Sequence, residues 1–487
     1  MLFNSYIFIF AFLPISFFIY FYLNQKKLIL ASKLFLVLSS LFFYAWWNVI
    51  YLPIIISSII LNYFIGHTLH NYGFNGKVKL KKKLLLIFGI TANITLLGYF
   101  KYSDFFIENY NLMLNNNIEL LHLALPLAIS FFTFQQISYL VDSYKSEIEE
   151  YNFINYALFV TFFPQLIAGP IVHHKEMMPQ FSNVKNKIKN YKNISMGLFI
   201  FSIGLFKKVV IADTFAIWAT AGFDTATTLN LIEAWITSLS YTFQLYFDFS
   251  GYTDMAIGIA LLFNIKLPMN FNSPYKATDI QDFWRRWHMT LGRFLKDYVY
   301  IPLGGNRKSE LRTYHNLLVT FLLAGIWHGA GWTFLLWGFL HGLALVIHRA
   351  WSRLGFKLWS WMAWLITFNF INATWIFFRA KEWEDAIKVL SGMVDFNTLV
   401  LPIFFETRLT MFKEHIEFGG FLPNIQGSYN TVAWILGAFI LILFCKNSMK
   451  KLQTFKANFI HASLFIILFV ISFYKLSGYS EFLYFRF

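Results

Sequence analysis

The chain has 487 residues, 57% hydrophobic and 13% charged, with a mean hydropathy of +0.53; soluble chains carry roughly 25% charged residues, so a soluble fold is excluded. The formal net charge is +15, but Lys and Arg fall in short clusters between apolar runs, as the positive-inside rule expects and as a nucleic-acid surface does not require. The single cysteine, Cys445, excludes an intrachain disulfide and a multi-cysteine metal site, and is expected to be a small packing residue at an apolar helix end.

A membrane span needs about 20 apolar residues. In chain order the apolar runs are 5–23, 29–47, 49–66, 84–100, 122–141, 151–171, 194–216 and 232–264, the last long enough to be broken or doubled. Further runs follow at 313–326, 331–348, 358–378, 430–445 and 458–474. They predict about eleven to thirteen transmembrane or re-entrant helices in one all-α membrane domain, 1–487. The N-terminal run lacks a clear small-residue cleavage site and is expected to be a retained first helix. Lys26 and Lys27 after the first run and the Lys77–Lys83 cluster after the third both orient Met1 outside, and Lys446, Lys450, Lys451 and Lys456 put the C-terminal tail outside as well. Residues 401–430, turn-rich and without a long apolar run, are expected outside the bilayer.

Polar residues are costly within a bilayer and mark candidate sites. Gln135 and Gln136 interrupt one span. Pro164 and Pro170 bound a non-ideal backbone that has to be buried in protein or line a cavity, and His173 and His174 follow at an expected interface. Asp248 and Asp254 stand in an apolar run with Gly251, a possible break, between them. Cation binding, proton relay and pairing with Arg285 or Arg293 are all open to them, and pairing or scaffolding is favoured.

The segment Asp282-Phe283-Trp284-Arg285-Arg286-Trp287-His288 is a second interruption. Helical spacing would put Trp284, Trp287, His288 and Leu291 on one face. Arg285, Arg286, Arg293, Lys296, Arg307 and Lys308 offer a basic surface to phosphates of a large anionic ligand or to lipid headgroups. Between Arg312 and Arg349 lie 36 residues without Lys, Arg, Asp or Glu. As one helix they would extend about 54 Å, nearly twice the hydrocarbon depth, so the stretch has to break. Gly325, Gly329 and Gly331 mark the place, around Trp327-His328-Gly329. A neutral imidazole there can act as a base; a packing histidine is equally compatible with the spacing. His315, His341 and His348 are expected to be structural.

Taken together, several segments resemble the membrane-bound O-acyltransferases, in the bacterial branch of alginate and peptidoglycan O-acetyltransferase membrane subunits. They are Phe163-Pro164-Gln165-Leu166-Ile167-Ala168-Gly169-Pro170-Ile171, Asp248-Phe249-Ser250-Gly251-Tyr252-Thr253-Asp254, Asn270-Phe271, Phe283–His288, Tyr300-Ile301-Pro302-Leu303-Gly304-Gly305 and Trp327-His328-Gly329. The resemblance implies tilted helices around a central funnel, with His328 as the catalytic histidine and His288 as a second one on the cytoplasmic side. It implies acetyl-CoA as donor substrate, no permanently bound cofactor or metal, and Arg285 and Arg286 lining the mouth that receives coenzyme A. Acetyl would cross to an extracytoplasmic polysaccharide, with an extracytoplasmic serine-hydrolase-like acetyltransferase as partner, in the cell membrane (the inner one in a Gram-negative cell). The aromatic tail Glu481–Phe487 resembles the C-terminal motif of the small peptide that accompanies the D-alanyl transfer protein, which implies an acyl relay through Tyr484. An interfacial anchor is the plain alternative for that tail. A precursor transporter or flippase, or a non-catalytic scaffold, would also account for many spans and a polar centre.

Overall fold

The computed structural model describes residues 1–71, 76–148, 152–409, 417–476 and 482–483. In chain order the helices are α1 (Leu13–Gln25), α2 (Ile29–Ala45), α3 (Leu52–Asn71), α4 (Gly76–Leu114), α5 (Ile129–Tyr144), α6 (Phe153–Thr161), α7 (Phe163–Leu166), α8 (His174–Ser182), α9 (Tyr191–Phe206), α10 (Asp213–Thr220) and α11 (Leu231–Leu262). There follow α12 (Ile280–Arg286), α13 (Met289–Leu295), α14 (Glu310–His328), α15 (Trp332–Leu354), α16 (Ser360–Arg379), α17 (Trp383–Gly392), α18 (Tyr429–Leu443), α19 (Ser448–Gln453) and α20 (Phe459–Lys475). Among the described residues six helical stretches are long and apolar enough to cross a membrane, and Ile29–Ala45, Tyr429–Leu443 and Phe459–Lys475 are shorter apolar helices. The protein is an all-α polytopic membrane protein. Large apolar side chains such as Phe64, Leu112, Ile347 and Phe459 face outward, as a lipid-bathed surface requires and a water-bathed one penalises.

The boundaries depart from hydropathy where polar chemistry intervenes. The lysine-rich end of the fourth run is helical too, so α4 is much longer than 84–100; Lys is a good helix former even where it is a poor membrane residue. The run 122–141 becomes helix only at Ile129, after Ala128 in a left-handed conformation (φ 61°). The run 151–171 splits at Phe162 into α6 and α7 and continues without regular structure through Pro170, as its prolines indicate. Gly251, by contrast, does not break α11, which is continuous over 32 residues. Cys445 is exposed, not packed. Residues 400–419 include a short parallel pairing of Val400–Pro402 with Glu417–Gly419.

Two compact units divide the chain. The first comprises Met1–Leu205, Tyr252–Met269 and Phe455–Phe487. It is tied by buried amides: Asn62 on α3 and Asn93 on α4 exchange hydrogen bonds of 3.2 and 2.6 Å, and the Tyr156 hydroxyl donates to Gln136. His173 and His174 are buried within the protein, and His173 Nδ1 lies 3.7 Å from the Asp142 carboxylate. From the tail, Phe482 is buried with its ring 4.6 Å from that of Tyr252.

The second unit comprises Phe206–Gly251 and Asn270–Thr454 and holds both candidate histidines. Its centre is the α14–α15 hairpin. Ser309 caps α14, accepting from Arg312 N at 3.4 Å. Arg349 donates to both oxygens of Glu310 at 3.0 and 3.1 Å, with Arg353 on the same carboxylate. The two helices meet at Gly325 and Gly338. A Cβ on Gly325 would lie 2.4 Å from the Phe334 carbonyl oxygen, and one on Gly338 2.4 Å from that of Phe321, so only glycine permits this approach; small residues let membrane helices pack backbone to backbone.

Candidate active site

The chargeless stretch breaks where the glycines predict. His328 ends α14, Gly329 turns extended, and α15 begins at Trp332. A Cβ on Gly329 would lie 2.1 Å from the Phe334 ring, so glycine here lets Phe334 close over the break. His328 is 3% exposed. Its imidazole lies edge-to-face against Trp327, Trp337 and Phe378, at centroid distances of 4.8, 5.1 and 5.0 Å.

His288 sits at a second break. The expected continuous helical face through Trp284, Trp287, His288 and Leu291 does not form: α12 ends at Arg286, Trp287 is extended, and His288 is left-handed (φ 42°) ahead of α13. The cause is the chain segment at Asn270–Asn272. Asn272 N donates to Arg286 O at 2.9 Å, and Met289 N to Asn270 O at 3.0 Å, which removes these groups from helical bonding. The Asn270 side-chain oxygen accepts from Thr290 N at 3.2 Å and Thr290 Oγ1 at 2.9 Å, and lies 3.1 Å from His288 Nδ1. A backbone N–H can only donate, so that Asn270 atom is the carbonyl oxygen, Nδ1 carries the proton and Nε2 holds the lone pair. Burial pushes the His288 pKa down to about 3, since a low-dielectric surrounding disfavours the charged imidazolium. His288 is therefore neutral at physiological pH.

Trp327 links the two histidines: its ring is 6.4 Å from His288 and 4.8 Å from His328. A second aromatic route runs from Trp287, next to His288, to Trp375 at 5.0 Å, then to Trp337 at 5.8 Å, and so to His328. Phe249 on α11 closes over His288 at 4.8 Å. Sequence reasoning missed Asn270 as the group that orients His288, although Asn270-Phe271 stood among the resembling segments. It missed Trp337 and Trp375 altogether, because a tryptophan in an apolar helix has no distinguishing spacing.

The other expected residues are placed as follows. His341 is a satisfied structural histidine. Trp284 Nε1 donates to its Nδ1 at 3.2 Å, and its Nε2 lies 3.1 Å from Thr374 Oγ1, whose hydroxyl donates to Ile371 O at 2.9 Å. His348 lies 3.6 Å from Asp279. Arg285 is exposed. Arg286 is committed to Asp282, with Nε 2.9 Å from each carboxylate oxygen, and reaches Asn272 O at 3.4 Å. Asp248 pairs with neither Arg285 nor Arg293: its partner is Lys208, at 2.6 Å, and Lys208 also holds Asp213 at 2.9 Å. Lys208 lies in a π-helical stretch of the preceding span, within an apolar run that the charge search passed over. Tyr484 lies outside the described residues. Among the described residues no cluster of three or more His, Cys, Asp or Glu could hold a metal ion.

His288 and His328 are thus two buried histidines at helix breaks of a multi-pass α-helical membrane protein, and His288 is oriented by Asn270. Residues 1–381 match the model of the MBOAT, membrane-bound O-acyltransferase, family, and the chain belongs to that family. It is 53% identical to the peptidoglycan O-acetyltransferase of Helicobacter pylori over 520 aligned positions, covering 100% of this chain and 98% of that protein. The probable alginate O-acetylase of Pseudomonas aeruginosa is 38% identical over 416 positions, 84% of this chain and 78% of that one. The teichoic acid D-alanyltransferase of Bacillus subtilis is 26% identical over 277 positions, 53% and 69% of the two chains. The chain is accordingly an acyltransferase of a cell membrane, acting toward an extracytoplasmic acceptor.

Proposed function

We propose that this protein moves acetyl from cytoplasmic acetyl-CoA through the membrane for O-acetylation of an extracytoplasmic polysaccharide, with peptidoglycan as the acceptor. The observation that carries the reading is the pair His288 and His328 on either side of Trp327. The acceptor class is supported by the 53% identity over the whole chain with a peptidoglycan O-acetyltransferase, against 38% with a probable alginate O-acetylase.

His328 acts as general base. It takes the proton of the attacking hydroxyl as the oxygen adds to the thioester carbonyl; the carbon–sulfur bond then breaks, and the thiolate leaves and recovers a proton. His288, held by Asn270, positions the thioester on the donor side. Arg285 contributes positive charge where coenzyme A phosphates enter, and Arg286, tied to Asp282, shapes the same turn. The first hydroxyl acylated is that of Tyr484, which passes acetyl to an extracytoplasmic serine-hydrolase-like acetyltransferase. Phe482, two residues earlier, is buried. A phenol with an ordinary pKa of about 10 needs a base, and His328 supplies one.

His328→Ala should lower acetylation of isolated glycan, measured by mass spectrometry, at least about 100-fold with normal insertion; unchanged acetylation would remove His328 from the chemistry. Tyr484→Phe keeps the ring and removes only the oxygen. Loss of acetylation at normal protein level supports the relay, whereas full activity leaves the tail as an anchor.

A further inference from the structure

Tryptophan carries a hydrogen-bond donor and no acceptor at its indole nitrogen. In the second unit several indole N–H groups have found their acceptors: Trp284 donates to His341 at 3.2 Å, Trp235 to Met393 O at 3.0 Å, and Trp364 to Tyr275 O at 2.9 Å. Trp337 and Trp375 have not. They are 0% and 1% exposed, and their Nε1 atoms have no hydrogen-bond partner among the described residues. The two rings stack at 17° and 5.8 Å. One lies 5.1 Å from His328 and the other 5.0 Å from Trp287, the residue before His288. Two unsatisfied buried donors thus stand side by side on the aromatic route that joins the two histidines.

A buried donor without an acceptor is a cost that folded proteins rarely carry, and where they do, a functional explanation is called for. The ring contacts alone do not require indole here, since phenylalanine would supply an apolar aromatic surface without an N–H to satisfy. We infer that the Trp337 and Trp375 N–H groups are the donors that receive the oxyanion in acyl transfer, a role that rests on the acyltransferase reading above. When a hydroxyl oxygen adds to the thioester carbonyl carbon, the carbonyl π pair moves onto its oxygen, and that oxygen accepts from the indoles. The pair then returns, the carbon–sulfur bond breaks, and sulfur leaves as thiolate to take up the proton that His328 removed from the hydroxyl. Donors already fixed in a water-poor site stabilise such charge with no reorganisation at the moment of reaction.

Trp337→Phe and Trp375→Phe retain an aromatic ring and delete the N–H. In full-length protein, with acetyl-CoA as donor, each should lower kcat by about 100-fold, leave KM for acetyl-CoA within about two-fold, and leave the thermal midpoint unchanged or raised, because an unsatisfied buried donor is gone. Trp284→Phe is the control: its N–H is already bonded to His341, so it should lower the midpoint and leave kcat per folded molecule unchanged. A kcat within about two-fold of wild type in both variants, or a loss of kcat that follows a fallen midpoint, would overturn the assignment. His328→Ala, measured alongside, separates this outcome from failure of the acyltransferase reading: if that variant stays active the functional reading itself is wrong, whatever the tryptophans do.

Discussion

In the second unit the buried carboxylates of α11 and the buried indoles beside His328 are treated in opposite ways. Glu233, at the start of α11, accepts from Asn424 N and Asn424 Nδ2, both at 2.9 Å, and from Asn230 N at 3.2 Å. Asp248, four turns on, holds Lys208 at 2.6 Å with both side chains 2% exposed. These are charges that have been matched. Beside His328, buried indole donors stand without acceptors among the described residues. Matched groups hold helices together, while unmatched ones retain hydrogen-bonding capacity that a reacting molecule can use. The contrast holds between these carboxylates and these indoles, since α11 itself carries Tyr241 and Gln244 with buried side-chain oxygens that have no hydrogen-bond partner among the described residues.

The largest effect should follow from breaking a matched pair. Asp248→Leu takes from the buried Lys208 the carboxylate at 2.6 Å and leaves Asp213 at 2.9 Å, and removing one partner of a buried pair costs up to about 3–5 kcal/mol. The expected result is a fall in folded protein and thermal midpoint, with activity lost only in proportion. Lys208→Met combined with Asp248→Leu should recover most of the stability, because both deeply buried charges are then gone and Asp213, which is partly exposed, can be hydrated. Recovery of stability without recovery of activity would move this pair from scaffold to chemistry.

A smaller effect comes from pH. The His288 pKa in the folded state is about 3, below the ordinary value of about 6.5. Between the two values the unfolded chain binds a proton that the folded chain does not, so stability is present above pH 6.5 and is lost as pH falls below it. At pH 5 the share of His288 in that loss should be about 2 kcal/mol, read as the difference between wild type and His288→Asn in thermal unfolding in detergent. His288→Asn should flatten that part of the profile, and an unchanged slope would mean that the imidazole is not held neutral by its surroundings.

Smaller again is Thr374→Val, which takes away the acceptor of the His341 N–H while nearly preserving shape. It should cost about 1 kcal/mol or somewhat more and leave turnover per folded molecule intact, as expected of a matched histidine. Loss of turnover at normal stability would place His341 with the reacting groups instead.

How far this division could be read from the sequence depended on what each feature needs. The break at Gly329–Gly331 follows from length and lack of charge, because no helix of that length fits the bilayer. His328 and His288 stand out because imidazoles are rare in apolar company. The break at Trp287–His288 was invisible: it depends on Asn270 and Asn272, which approach from a separate segment to take the backbone bonds a helix would have used. Lys208 as partner of Asp248 was equally hidden, since the ion pair joins residues 40 positions apart by sequence number. Local pattern reports what a segment can do alone, and long-range pairing decides which option it takes.

The last and smallest effect tests the basic turn before His288, where the same division runs between two neighbouring residues. Arg286 is matched, with its Nε on both oxygens of Asp282 at 2.9 Å, whereas Arg285 is exposed. A partly exposed pair of this kind contributes less than about 1 kcal/mol, so neither substitution by alanine should prevent folding. Arg285→Ala should raise KM for acetyl-CoA several-fold at constant kcat, the signature of a contact made equally in ground and transition states. Raising ionic strength should weaken donor binding in the wild type and narrow the difference between the two proteins, because exposed charges are screened. Arg286→Ala should act through geometry: Asn272 O loses one donor, and the turn that presents His288 loosens, so kcat falls with little change in KM. The opposite assignment, with KM moved by Arg286 and kcat by Arg285, would mean that the Asp282 bond opens when coenzyme A arrives, and that this arginine changes partners between scaffold and substrate.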